Sequence, residues 1–146
     1  MTRLNIEVSI WIACSPERVW NYLCDVSNEV LWRYGVLFAE WITDPPREIG
    51  SIGYHFIQGL GDYPWKVVEL KEPEHMSWDV LAGRFKGARA GYRISPEDAG
   101  SRMTIYVNAN QNMFLKIMVL VLKGFFKRQL VGDLERLKAI LEVKTS

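Results

Sequence analysis

The chain has 146 residues, 49% hydrophobic and 24% charged, with a formal net charge of +1. That size and balance fit one ordinary globular domain spanning residues 1–146, with room for a substantial core. The near-zero charge excludes whole-molecule attraction to nucleic acid or to an anionic membrane, so no nucleic-acid partner is expected. Two cysteines and two histidines form no cluster with the ligand count or spacing of a zinc site, and neither a metal nor a cofactor is expected. Met1-Thr2-Arg3 runs directly into polar/apolar alternation rather than the apolar run of a secretory signal, which makes the cytoplasm the default location.

The alternating residues Leu4, Ile6, Val8, Ile10 and Ile12 predict a strand with one wet face. Directly after it, Ser15 is placed to cap a helix, Pro16 suits its first position, and Glu17 favours the positive end of its dipole. This short helix runs from Pro16 to about Cys24, with Val19, Trp20 and Leu23 on its buried side. A second helix is expected from a Ser27 cap through Asn28–Arg33, ended by Gly35 in a left-handed conformation. Six strands then follow: Val36–Thr43, Ser51–Gln58, Tyr63–Lys71, His75–Leu81, Lys86–Ser95 and Arg102–Ala109. Gly, Pro and Asp clusters separate them, and the short spacing favours an antiparallel meander, because parallel strands would need a helix between them.

The last element is a helix from about Gln111 to Val143, roughly 45 Å at 1.5 Å per residue. Leu115, Val119, Leu122, Phe126, Leu130, Leu134, Leu137 and Leu141 make one continuous apolar stripe, and Phe114, Met118, Val121 and Phe125 a second. Its most apolar stretch holds about fourteen residues and is interrupted by Lys116 and Lys123, whereas a transmembrane span needs roughly twenty. Lys116, Lys123, Lys127 and Arg128 flank the apolar face, which leaves peripheral membrane contact open. Gly124 and Gly132 weaken the helix and point to a bend or a close approach of another segment.

This order of elements, together with Ala13-Cys14-Ser15-Pro16-Glu17-Arg18-Val19-Trp20, Val67-Val68-Glu69-Leu70-Lys71-Glu72-Pro73-Glu74-His75-Met76-Ser77-Trp78 and Gly100-Ser101-Arg102-Met103-Thr104, resembles the START-like helix-grip superfamily. The resemblance is to its polyketide cyclase/dehydrase and lipid-transport branch and covers nearly the whole chain. It implies an α+β fold in which a curved antiparallel seven-stranded sheet grips a long C-terminal helix, with two short helices after strand 1. A START-like ligand-binding domain is then expected, but the shared motifs are scaffold, so function rests on the cavity.

Strand alternation, taken with the apolar residues inward, selects the cavity-facing set. It turns Tyr54 and Phe56 in and His55 out. Met76, Trp78 and Val80, Ala88, Ala90, Tyr92 and Ile94, and Met103, Ile105 and Val107 also point in, with Trp65 and Val67 favoured on the strand between. Trp32 and Tyr34 are expected at the mouth and Met118, Leu122 and Phe125 at the floor. The expected ligand contacts are therefore Trp32, Tyr34, Tyr54, Phe56, Trp65, Trp78, Tyr92, Met118, Leu122 and Phe125. Arg84 at the rim is the candidate contact for an anion.

The inner set is largely apolar, which favours binding or carriage of a small hydrophobic molecule: a lipid, quinone, fatty acyl chain, or aromatic or polyketide-like compound. A cyclase or dehydratase is the alternative, with Tyr54 and Tyr92 as donors to a carbonyl and Arg84 holding a carboxylate or enolate. An interaction module with a filled core, docking through Arg84, Lys86, Arg89 and Arg93, is a third. No Ser/His/Asp or Cys/His arrangement and no phosphate-binding glycine loop is present, so no catalytic residue is assigned.

Overall fold

The computed structural model describes the backbone of residues 3–83, 85–110 and 113–143, and the side chains of residues 5–83, 85–109 and 122–143. The N-terminal alternation forms strand β1, Arg3–Ile12, and Ser15 caps helix α1, Pro16–Cys24, by accepting from the Arg18 N–H at 3.3 Å. Val19, Trp20 and Leu23 are its buried side, as the pattern predicts. A single 3-10 turn, Val26–Asn28, then leads into the four-residue helix α2, Glu29–Trp32. The expected Ser27 cap is not made. Its hydroxyl instead binds the Asp25 carboxylate at 2.5 Å, and the helix starts two residues later. Gly35, at φ +78°, supplies the left-handed residue that turns the chain into the sheet.

The strands are β2 (Val36–Trp41), β3 (Ile52–Ile57), β4 (Gly61–Lys71), β5 (His75–Val80), β6 (Arg89–Glu97) and β7 (Gly100–Asn110). β6 begins three residues later than expected because Lys86 and Gly87 spend their N–H groups on a turn, to Gly83 and Val80. At its other end β6 continues past Ser95. Only Asp98 and Ala99, both at positive φ, separate Glu97 from its partner Gly100, a tight two-residue hairpin.

All seven strands form one antiparallel sheet in the order β1-β7-β6-β5-β4-β3-β2, curled into a half-barrel. The segment carrying α1 and α2 links the two edge strands. Helix α3, Met113–Glu142, packs along the sheet and makes its main sheet contacts with β1. Its described stripe behaves as the spacing predicts, with Leu130, Leu134, Leu137 and Leu141 buried. Neither Gly124 nor Gly132 marks a close approach: a Cβ at Gly124 would have nothing within 4 Å, and one at Gly132 would meet only Arg136 of its own helix.

At the C-terminal end of α3 the core is dry. Ile12, Val19, Leu23, Met103, Leu134 and Leu137 are all at most 1% exposed. Glu142 closes that end by accepting from the Ala13 N–H at 2.8 Å and from Lys138 at 2.7 Å. The Lys138 and Ala13 hydrogen bonds hold its carboxyl below the ordinary range.

Candidate functional site: a cavity with a polar end

Toward the first half of the described α3 the sheet and helix part, leaving a cavity of about 180 Å³. Ile6, Ile105 and Val107 line it from β1 and β7, Trp78 and Ala90 from β5 and β6, and Phe126 and Leu130 from α3. It reaches the surface beside Tyr34, which is 65% exposed. One end is polar, built from Glu29 and Arg33 after β1, His55 on β3, Tyr63 on β4 and Asp133 on α3.

The inner face of β3 is the opposite of the one predicted. Gly53 and His55 are buried, whereas Tyr54 is half-buried and Phe56 is 39% exposed on the outer side. Phe56 pairs there with Phe38, and Tyr54 hydrogen-bonds Asp62. The reason is Trp65, which faces Gly53 across the β3–β4 pair, where a Cβ would stand 2.1 Å from its ring. Only glycine leaves room for that indole, and its place fixes His55, two residues on, to the same inner face. Two apolar outward residues thus misdirect a rule that sends apolar side chains in.

Burying His55 is tolerable because both ring nitrogens are engaged. Trp65 Nε1–H donates to His55 Nδ1 at 2.5 Å, so the ring proton sits on Nε2, which donates to Glu29. The other Glu29 oxygen accepts from the Tyr92 hydroxyl at 2.8 Å. Burial alone would raise the Glu29 carboxyl, but His55, Arg33 and the Tyr92 hydrogen bond together hold it below its ordinary value. Tyr92 is driven the other way, well above a normal phenol, by burial and the adjacent Glu29 charge, and so stays a donor.

The second polar cluster centres on Asp133, 3% exposed. It accepts from Arg33 Nε at 3.1 Å, from the Tyr34 N–H at 2.9 Å and from Arg136, while Arg136 also caps the Trp32 carbonyl at 3.1 Å. Arg33 stacks over Trp32 with its guanidinium carbon 5.3 Å from the ring centre. Burial opposes the Arg33 charge, but Tyr92, Glu29 and Asp133 hold its ionisation above the usual guanidinium value. Tyr63 stands opposite His55 in register, and burial pushes its hydroxyl up to about 12.

Of the ten residues expected to meet a ligand, Tyr34 and Trp78 line the cavity. Trp65 and Tyr92 are buried one layer behind it as the partners of His55 and Glu29. Trp32 is fully buried rather than at the mouth, because α2 turns Glu29, Trp32 and Arg33, spaced i, i+3 and i+4, to one face. Leu122 is half-buried away from the lining, and Phe125 is 49% exposed. The floor is formed by Phe126 and Leu130, which lie further along the first stripe, the one that also carries Leu122. Met118's side chain and Arg84 lie outside the described residues. In the expected basic edge, Arg89 pairs with Asp79 at 2.7 Å and Arg93 with Glu7 at 2.7 Å, so neither cation is free.

Sequence reasoning missed Glu29, Arg33, His55, Tyr63 and Asp133. Two signals pointed to them. Glu29 and Arg33 share the helical face of Trp32, and Asp133 interrupts the apolar stripe between Leu130 and Leu137.

Comparison with known proteins agrees with this architecture. One similar structure is the Aha1 dimer from Colwellia psychrerythraea: 18% identity, TM-score 0.71, covering 98% of this chain and 99% of that one. Another is the di-domain ARO/CYC StfQ from the steffimycin biosynthetic pathway: 12% identity, TM-score 0.77, covering 96% of this chain and 51% of that one. At these identities the likeness is one of fold. No curated protein sequence matches the chain. Residues 3–142, however, match the family described as polyketide cyclase / dehydrase and lipid transport, and with that match spanning strand β1 to the end of α3, the chain belongs to this family.

Proposed function

We propose that the chain acts as one domain that binds and carries a small hydrophobic molecule in the cavity between the sheet and α3: a lipid, quinone, fatty acyl chain or aromatic compound. The observation that carries this reading is the cavity itself, apolar on most of its wall. Because the cavity reaches the surface, water fills it when no ligand is bound, and an apolar ligand gains by displacing that water from a largely apolar wall. A volume below the roughly 300–1,000 Å³ of drug-sized sites suits one or two rings, or the end of a longer chain. Among the described residues no helix is long and apolar enough to cross a membrane. Phe125, exposed beside Lys123, Lys127 and Arg128, suits peripheral contact during loading.

Turnover of the cyclase or dehydratase kind is the second reading, favoured by Arg33 and Tyr63 on the cavity wall. Glu29 and His55 hydrogen-bond each other and their neighbours Tyr92 and Trp65, so in this reading Arg33 and Tyr63 are the groups placed to polarise a carbonyl.

The test is native mass spectrometry of the purified protein together with a titration by 1-bromonaphthalene. Trp78 lines the cavity and Trp65 lies 5.6 Å from it, so occupancy by a heavy-atom quencher should give saturable loss of tryptophan fluorescence. A linear, unsaturable response with no co-purifying ligand would remove the carrier reading.

A further inference from the structure

The charged groups at the polar end of the cavity turn donors toward it, beside the Gln129 amide, which can both donate and accept. The two Glu29 oxygens are taken by His55 and Tyr92, and Asp133 by Arg33 Nε, Arg136 and the Tyr34 N–H. On the donor side, Arg33 gives Nε to Asp133, and its guanidinium also neighbours the Tyr92 oxygen, while its two terminal nitrogens make no hydrogen bond of ordinary geometry among the described residues. Tyr63, also on the wall, makes no hydrogen bond among the described residues, and its hydroxyl keeps its proton throughout the neutral range. A bound molecule meets N–H and O–H groups that need an acceptor, whereas each carboxylate oxygen at this end already accepts from the protein.

We infer that the ligand is an apolar molecule ending in an anionic oxygen, a carboxylate or enolate, seated on the terminal nitrogens of Arg33 with the Tyr63 hydroxyl donating beside it. This rests on the carrier reading above and assigns the polar half of the same site. The planar fork of a guanidinium matches a carboxylate's two oxygens, and hydrogen bonds to an ionised acceptor are about twice as strong as neutral ones. Asp133 holds Arg33 by Nε, the nitrogen that leaves the fork free. Amines and ammonium groups are disfavoured, since they set donors, and the ammonium a like charge, against the Arg33 guanidinium.

The experiment measures displacement of 1-bromonaphthalene by 2-naphthoate, 2-methylnaphthalene and 2-naphthylmethylamine at pH 7, from the wild type and from Arg33→Met, Arg33→Met/Asp133→Asn and Tyr63→Phe. In the wild type, 2-naphthoate should bind at least tenfold more tightly than 2-methylnaphthalene, and the amine more weakly than either. Arg33→Met should reduce that naphthoate preference to about twofold or less. The double variant, which leaves no buried Asp133 charge unpaired, should do the same if the single variant folds poorly. Tyr63→Phe should reduce the preference by about three- to tenfold. Equal affinity for naphthoate and methylnaphthalene in the wild type, or a preference that survives in the double variant, would overturn the assignment of Arg33 while leaving the hydrophobic cavity standing. Failure of 1-bromonaphthalene to bind at all would overturn the cavity reading and the anion site with it.

Discussion

The two ends of the concave face solve the same problem differently. At one end α3 meets the sheet through Leu134, Leu137, Met103 and Ile12, which are close-packed and essentially inaccessible. At the other, the helix and sheet stand apart, and the gap is edged by Glu29, His55, Arg33 and Asp133, each charged or polar and each tied to named partners. The dry end fixes the helix mainly by area removed from water, a contribution indifferent to pH, with the Glu142 contacts at its tip the pH-sensitive part. The cavity end is held by hydrogen bonds whose value depends on protonation. Both halves therefore hold the helix to the sheet, one by burial and the other by a polar network that also edges the cavity.

Removing Glu29 should make the largest difference. Glu29→Ala takes the acceptor from the His55 Nε2–H and the Tyr92 hydroxyl at once, and each buried donor left unpaired costs about 1–3 kcal/mol. The conservative Glu29→Gln isolates the charge. Because the folded carboxyl lies below its unfolded value, its contribution is present above about pH 4.5 and lost as pH falls through the folded pKa. Urea denaturation at pH 7 and at pH 4 should show the gap between wild type and Glu29→Gln narrowing in acid. A gap of constant width would mean that the carboxyl titrates alike in the folded and unfolded chain.

At the dry end, Leu137→Ala should cost about 2–5 kcal/mol, from lost transfer energy and a cavity that its packed neighbours cannot fill. Unlike the change at Glu29, this loss should be equal at pH 7 and pH 4, and it should leave the ratio of naphthoate to methylnaphthalene binding untouched. If Leu137→Ala alters that ratio, the two halves of the interface are coupled and the comparison fails.

These two ends also differ in how legible they are in the sequence. The dry end follows from periodicity: the period-two run of β1, the Ser-Pro-Glu start of α1, and the stripe Leu130, Leu134, Leu137 and Leu141 each have one low-energy solution, with apolar residues inward. The order of the elements and the antiparallel sheet follow from the turns between them. The cavity end obeys a different constraint. There His55 goes in and Phe56 out, because Trp65 needs the space of Gly53 and because Glu29, 26 positions away in the chain, satisfies the imidazole. No local pattern encodes a partner so distant. Glu29, Arg33 and Asp133 were visible only as polar residues on apolar faces, which is the trace a buried network leaves in a sequence.

The smallest expected effect concerns α3 where it passes the cavity. Gly124 sits inside the helix with nothing within 4 Å of where a Cβ would stand, so Gly124→Ala removes backbone freedom from the unfolded chain without a clash. It should stabilise the protein by about 0.5–1 kcal/mol, read from the denaturation midpoint. Gain is the informative outcome: it would mean that this stretch of helix is held less tightly than its neighbours allow, in contrast to the packed end. Destabilisation would instead place a close contact at Gly124 and make the cavity end of α3 as constrained as the dry one.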